Sequence, residues 1–175
     1  MKKLQYPIGE FQVPTEISEQ DLQEAITILD IFPEKLRLLV SQLPQHVFQQ
    51  PYRPEGWTIQ QLVHHIADSH HNSYLRFKWA LTEDNPTIKA YDEKKWAALG
   101  DYNTMPIVWS LMHLEAVHHK LVYLLKGLTA NQWERTYQHP EKEAPTSLKE
   151  TVLQYSWHSM HHYAHIKNAL DRLQE

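Results

Sequence analysis

The segment Trp157-His158-Ser159-Met160-His161-His162-Tyr163-Ala164-His165 carries four histidines. Two pairs, His158 with His162 and His161 with His165, are four residues apart. That spacing stacks side chains on one helical face, where two imidazoles can share a metal ion. Leu148, Val152, Tyr155, Ile166, Leu170 and Leu173 define the inward side of this helix at about 100° per residue. His162 lies roughly 40° from that direction, His158 roughly 75°, His165 about 95° and His161 about 135°. The periodicity therefore turns His158 and His162 toward an interior and His161 away from it. The competing reading is of polar surface residues or hydrogen-bonded core histidines. It weakens with each further histidine that can join, because imidazoles buried without partners are costly. Residue 159 is Ser, so the H-E-x-x-H pattern of zinc proteases and its built-in general base are absent.

A second group lies in Gly56-Trp57-Thr58-Ile59-Gln60-Gln61-Leu62-Val63-His64-His65-Ile66-Ala67-Asp68-Ser69-His70-His71. With Ile59, Leu62, Val63, Ile66 and Phe77 inward, His70 falls within about 20° of the apolar direction and His65 about 120° from it. Periodicity alone selects His70 as a third ligand. His64 and His71 are expected in solvent. His118, among Leu114, Leu121 and Leu125, reads as a hydrogen-bonded core histidine. Asp68 and Glu115 are candidates to hold ligand N–H groups. Trp57, Trp157 and Tyr163 read as core or interface aromatics.

Composition narrows the chemistry. The 175 residues include 13 His and no Cys, so disulfides, thiolate ligands and thiol nucleophiles are excluded, and a metal site must use imidazole and carboxylate. With 17 basic and 21 acidic residues the formal net charge is −4, which argues against nucleic acid as a partner. The longest apolar runs, such as Leu121 to Leu125, reach about a quarter of the ~20 residues a membrane helix needs. Met1-Lys2-Lys3 is not followed by an apolar stretch, so no signal peptide is expected and the cytoplasm is the expected compartment.

The elements that must position these residues read as helices in one domain, residues 1–175, with an extended N-terminal arm over about 1–17. Helix one runs from Ser18, with Asp21 completing a cap, toward Leu43, and Pro33 should kink or restart it. Thr58 and Gln61 open helix two, which continues to about Glu83. A long connection, 84–104, holds one short helix around Asp92 to Leu99. Helix three starts near Thr104 and Pro106 and ends at Gly127, with a short capped turn at Thr129 and Gln132. Ser147 and Glu150 form another capping box opening helix four, which runs to about Leu173. No segment shows convincing strand alternation. The expected fold is all-α, a four-helix bundle with short extra helices in the connections.

Several motifs together resemble the DinB/YfiT-like superfamily, and most closely its YfiT-type branch. They are the Trp57-Thr58 helix start, His65-Ile66-Ala67-Asp68, the His158-x-x-His161-His162 segment, Tyr6-Pro7-Ile8-Gly9-Glu10, Pro51-Tyr52-Arg53 and Tyr91-Asp92-Glu93-Lys94. The resemblance spans nearly the whole chain. It implies one divalent metal per chain on His65, His158 and His162. The helix-four pair agrees with the periodicity, while the helix-two choice departs from it and leaves His70 lining or supporting the site.

Three imidazoles leave a tetrahedral ion one open position, which points to chemistry rather than structure. Zinc is the expected metal on availability, and Ni, Co or Fe suit the same ligands. Zinc lowers the pKa of bound water to about 7, so a hydrolase acting through metal-bound water or hydroxide is the leading reading. The resemblance implies the same activity for the YfiT-type branch and, for other relatives, thiol S-transfer with a low-molecular-weight thiol such as bacillithiol. The third reading is a non-enzymatic metal-binding stress module. The expected partners are a small-molecule substrate and a second copy in a homodimer, with the arm and the 84–104 connection as contact elements.

Overall fold

The computed structural model describes residues 2–174. Four long helices, α2 (Glu19–Val40), α4 (Ile59–Thr82), α7 (Ile107–Lys126) and α9 (Leu148–Leu173), form the bundle. Around the bundle α2 touches α9, α9 touches α4, α4 touches α7 and α7 touches α2, so α2 lies diagonally across from α4. Short helices occupy the N-terminal arm, α1 (Lys2–Gln5), and the connections, α3 (Gln45–Phe48), α5 (Glu93–Ala97), α6 (Gly100–Thr104) and α8 (Ala130–Trp133).

The sequence sets most of the starts. Ser18 with Asp21, Thr58 with Gln61 and Thr129 with Gln132 each form a reciprocal capping box, satisfying N–H groups that helix ends leave free. Ser147 accepts from the Glu150 N–H without the return bond, so the expected box at α9 is only half made. Three further expectations are revised. Helix one stops at Val40, short of Leu43, and the connection holds two short helices in place of one. The arm is not wholly extended, since Lys2–Gln5 is helical. Two-residue strands, β1 (Thr136–Tyr137) and β2 (Thr146–Ser147), pair antiparallel with Thr136 opposite Ser147, a ladder too short for alternation to announce.

Pro33 neither breaks nor restarts α2, which is continuous through it. Proline lacks the N–H that would reach the carbonyl four residues back, here Leu29. His118 Nδ1 lies 2.6 Å from that carbonyl oxygen and takes the missing donor's place.

The buried apolar residues form two clusters, one around Leu29, Phe77, Leu121 and Val152, the other around Phe32, Leu62, Leu114 and Ile166. Along α4, α7 and α9 the switch between clusters falls where the inward histidines sit, and on α2 it falls at the Leu29 carbonyl that His118 meets, so a layer of imidazoles cuts the core across. Burial pushes the His118 pKa down from 6.5 to about 4. The unfolded chain therefore takes up a proton below pH 6.5 that the folded one refuses until about 4, and stability falls as pH drops through this window. The loss is up to about 1.4 kcal/mol per pH unit for each such group. Urea midpoints of metal-free protein should decline steadily from about pH 7 to about pH 5, and His118→Gln should flatten the slope; a constant midpoint across that range would show that the layer accepts protons when folded.

Candidate metal centre

His65 on α4 and His158 and His162 on α9 bring one ring nitrogen each within 4.8 Å of one another. Ring centroids are 5.5 Å apart for His65 and His158, 5.2 Å for His65 and His162, and 4.4 Å for His158 and His162. Burial first, and neighbouring imidazoles second, hold His70, His158 and His162 well below the ordinary histidine pKa, so they are neutral. Burial brings His65 to about 4.

In neutral rings one nitrogen donates and the other accepts, and carbonyls fix which. Leu29 O can only accept, so His118 Nδ1 carries the proton and His118 Nε2 is an acceptor. His70 Nδ1, 2.9 Å away, donates to it. His70 Nε2 then accepts from His158 Nδ1 at 3.1 Å. That leaves His158 Nε2 with a free lone pair. A second relay ends alike. His165 Nε2 donates to Leu4 O and Gln5 O at 3.2 and 3.1 Å, so His165 Nδ1 accepts from His162 Nδ1 at 3.3 Å. His162 Nε2 is therefore also unprotonated.

The two Nε2 atoms face each other at 3.1 Å with no proton between them. Two lone pairs so placed repel unless one ring gives up its relay bond to set a proton between them or one cation accepts both, and nitrogens sharing a tetrahedral zinc at 2.0–2.1 Å lie about 3.3 Å apart. The donor set thus fits a divalent metal. His65 has no relay: its Nδ1 is buried without a hydrogen-bond partner, and its ring lies 4.9 Å from Trp57.

His161, His162 and His165 also bring ring nitrogens within 4.8 Å of one another. In this set His165 is committed to the α1 carbonyls and His162 is shared with the first set. The expectation that His161 points away is wrong. It is buried, stacked on Trp157 at 4.3 Å with Tyr6 beyond at 6.0 Å. The arm folds over this side of α9, with Trp157 Nε1 donating to Gly9 O at 3.3 Å, and supplies the cover that periodicity within α9 cannot foresee.

Other placements differ too. His64 is buried, bonded to Ser110 Oγ at 2.7 Å and Met105 O at 3.1 Å, because α6 and the start of α7 cover that face of α4. His71 is partly buried, 5.0 Å from the His113 ring. Asp68 accepts from the Tyr102 hydroxyl at 2.6 Å, and Glu115 stands beside exposed His119, so neither holds the trio. His118 is the hydrogen-bonded core histidine expected. Trp57 packs, partly buried, against the second core cluster as expected and also lines a cavity.

That cavity, about 1150 Å³, opens over His65 and His162, with Tyr6, Trp57, Tyr91 and Tyr155 among its walls. Gly56 is also at its edge, where a Cβ would meet Arg53 Cγ at 2.8 Å.

The architecture is that of a four-helix bundle in which imidazoles from two helices converge beneath a polar cavity and could hold a metal ion. The chain belongs to the DinB superfamily, whose family model matches residues 28–166. It is 46% identical over 167 residues to a protein of Halalkalibacterium halodurans named "Putative metal-dependent hydrolase", covering 95% of this chain and 96% of that one. A Bacillus mycoides protein of the same designation is 43% identical over 173 residues, 99% of each chain. The structure of YfiT from Bacillus subtilis, described as "a probable metal-dependent hydrolase with an unusual four-helix bundle topology", superposes with a TM-score of 0.95 at 41% identity over 98% of each chain.

The relays make a spectroscopic prediction. Two-bond proton–nitrogen correlation spectra of metal-free protein should show the Nδ1–H tautomer at His118, His70, His158 and His162 and the Nε2–H tautomer at His165. His70→Phe should release His158 while leaving His162 and His165 as they are. An Nε2–H tautomer at His118 in the wild type would break the first relay at its source.

Proposed function

We propose that the protein is a metal-dependent hydrolase whose single divalent ion is held by His65, His158 and His162. The observation that carries this is the convergence of three ring nitrogens, with the Nε2 atoms of His158 and His162 3.1 Å apart and His65 alongside. The names borne by its relatives agree with it. Zinc is the expected ion; Ni, Co and Fe accept the same imidazoles.

When bound, the ion supplies a Lewis acid with an open coordination position. The rest falls to the chain. His70 and His118 hold His158 in the ligating tautomer, and His165 does the same for His162, support that is typically worth 10–100-fold in metal affinity. Trp57 and Tyr6 form walls that limit water around a small-molecule substrate. No cysteine is present, so a thiol could enter the reaction only as a co-substrate.

A cytoplasmic homodimer completes the reading. No helix among the described residues is long and apolar enough to cross a membrane. The arm is engaged on its own chain, so the surface left for a second copy includes exposed Leu38 on α2 and Trp109 and Met112 on α7.

Metal analysis should find one ion per chain. His65→Ala, His158→Ala and His162→Ala should each abolish tight binding, while His161→Ala should retain it. If His70→Ala abolishes binding and His65→Ala does not, the third ligand is His70. Metal-loaded protein should turn over an activated ester or amide without added thiol and stop on chelation. Turnover that requires a thiol and leaves a thioether would replace hydrolysis by S-transfer, binding without turnover would leave a metal-binding module, and turnover indifferent to chelator would remove the metal reading.

A further inference from the structure

Arg76 on α4 is 8% exposed, yet no carboxylate among the described residues lies within 4 Å of it. Guanidinium is charged at any relevant pH and carries five N–H donors. Its side-chain partners are neutral phenols: Arg76 Nη1 donates to the Tyr155 hydroxyl at 3.3 Å, and the Tyr137 hydroxyl also lies within reach. Burying a charge with so little compensation is expensive, and proteins ordinarily pair such a group. Arg76 and Tyr155 both line the cavity over His65 and His162. The Tyr155 ring packs 5.6 Å from the His158 ring and 5.1 Å from His70, so one tyrosine separates the guanidinium from the histidine centre.

We propose that Arg76 and Tyr155 form the docking point for a carboxylate on the substrate, so that the molecule handled at the histidine centre is a carboxylate-bearing monoanion. A planar carboxylate matches the guanidinium fork and can take two parallel N–H bonds. The Tyr155 hydroxyl accepts from Arg76 and so keeps its own proton to donate to the same oxyanion. Charge at the cavity selects against a dianion. Apart from Arg76, the charged side chains lining it are four exposed carboxylates, Glu55, Asp92, Glu93 and Glu141, against two cations, Arg53 and Lys94. A phosphate dianion must pass a net acidic mouth to reach one buried positive charge, while a monoanion meets less repulsion and neutralises that charge fully.

The carboxylate subsite stands on Arg76 alone; only its role as a substrate handle rests on the metal-dependent reading above. Benzoate is a suitable probe, with benzamide as its uncharged isostere and inorganic phosphate as the competing anion, titrated by calorimetry into metal-free and zinc-loaded full-length protein near neutral pH. Metal-free wild type should bind benzoate at least 10-fold more tightly than benzamide or phosphate. Arg76→Met should lose that preference, Arg76→Lys should keep part of it, and Tyr155→Phe should weaken benzoate a few-fold with its ring retained. Zinc affinity should match wild type in all three variants. Equal benzoate affinity in wild type and a folded Arg76→Met, or in wild type and Arg76→Lys should Arg76→Met not fold, overturns the subsite. Benzamide binding as well as benzoate does the same, and tighter Arg76-dependent binding of phosphate overturns the choice of a carboxylate. Failure of wild type to bind zinc while benzoate selectivity persists would remove the metal reading and leave the subsite in place.

Discussion

The carbonyl of Leu29 is the constraint from which the histidine layer is built. Pro33 deprives it of its helical donor, and a buried acceptor left unpaired costs about 1–3 kcal/mol. His118 meets that need at 2.6 Å. Because a carbonyl can only accept, this bond also dictates which nitrogen of His118 is protonated, and the choice passes through His70 to His158. A residue that looks like a flaw in α2 thus sets the protonation of a ring on α9 by way of α7 and α4. Reversing His118 or His70 would oppose donor to donor or acceptor to acceptor at both ends, and reversing His158 would set two acceptors against each other at His70; burial excludes the water that could repair it.

The same logic operates from the opposite end. Carbonyls of Leu4 and Gln5 fix His165, which fixes His162. The N-terminal residues are therefore part of the centre's architecture, although they contribute no ring to it. Both relays start at backbone, which cannot titrate, and both leave an unprotonated Nε2 at the same place. Two apolar clusters enclose the layer and keep its imidazoles neutral. A layer lacking either property would not present two lone pairs to each other: protonated rings would need a counter-charge, and freely rotating ones would hydrogen-bond to each other.

Much of this was legible from residue order. The four long helices, their capped starts and the inward turn of His158 and His162 follow from periodicity and cap chemistry, which are local. What was not legible depends on segments that fold over a helix from elsewhere. His161 looks outward on α9 until the arm covers it, and His64 looks outward on α4 until α6 and α7 supply Met105 O and Ser110. Arg76 gave no signal, because one arginine in a helix is ordinarily solvated. The role of Pro33 was hidden because its compensating donor lies 85 residues further along the chain.

His70 and His65 show why periodicity picks a supporting ring rather than the one at the cavity. A position within about 20° of the apolar direction, like His70, is surrounded by core and helix backbone, so its two nitrogens are used up by other rings. It can transmit a protonation pattern but has no nitrogen left for the cavity. A position on the flank, like His65, sits where core gives way to open space, and its ring can face the cavity beside Trp57. The inward histidine is suited to hold a neighbour in place, and the flanking one to meet a ligand that arrives from outside. For a centre that must be rigid and still reachable, the helix needs both, and the five-residue step from His65 to His70 supplies them about 140° apart around the helix.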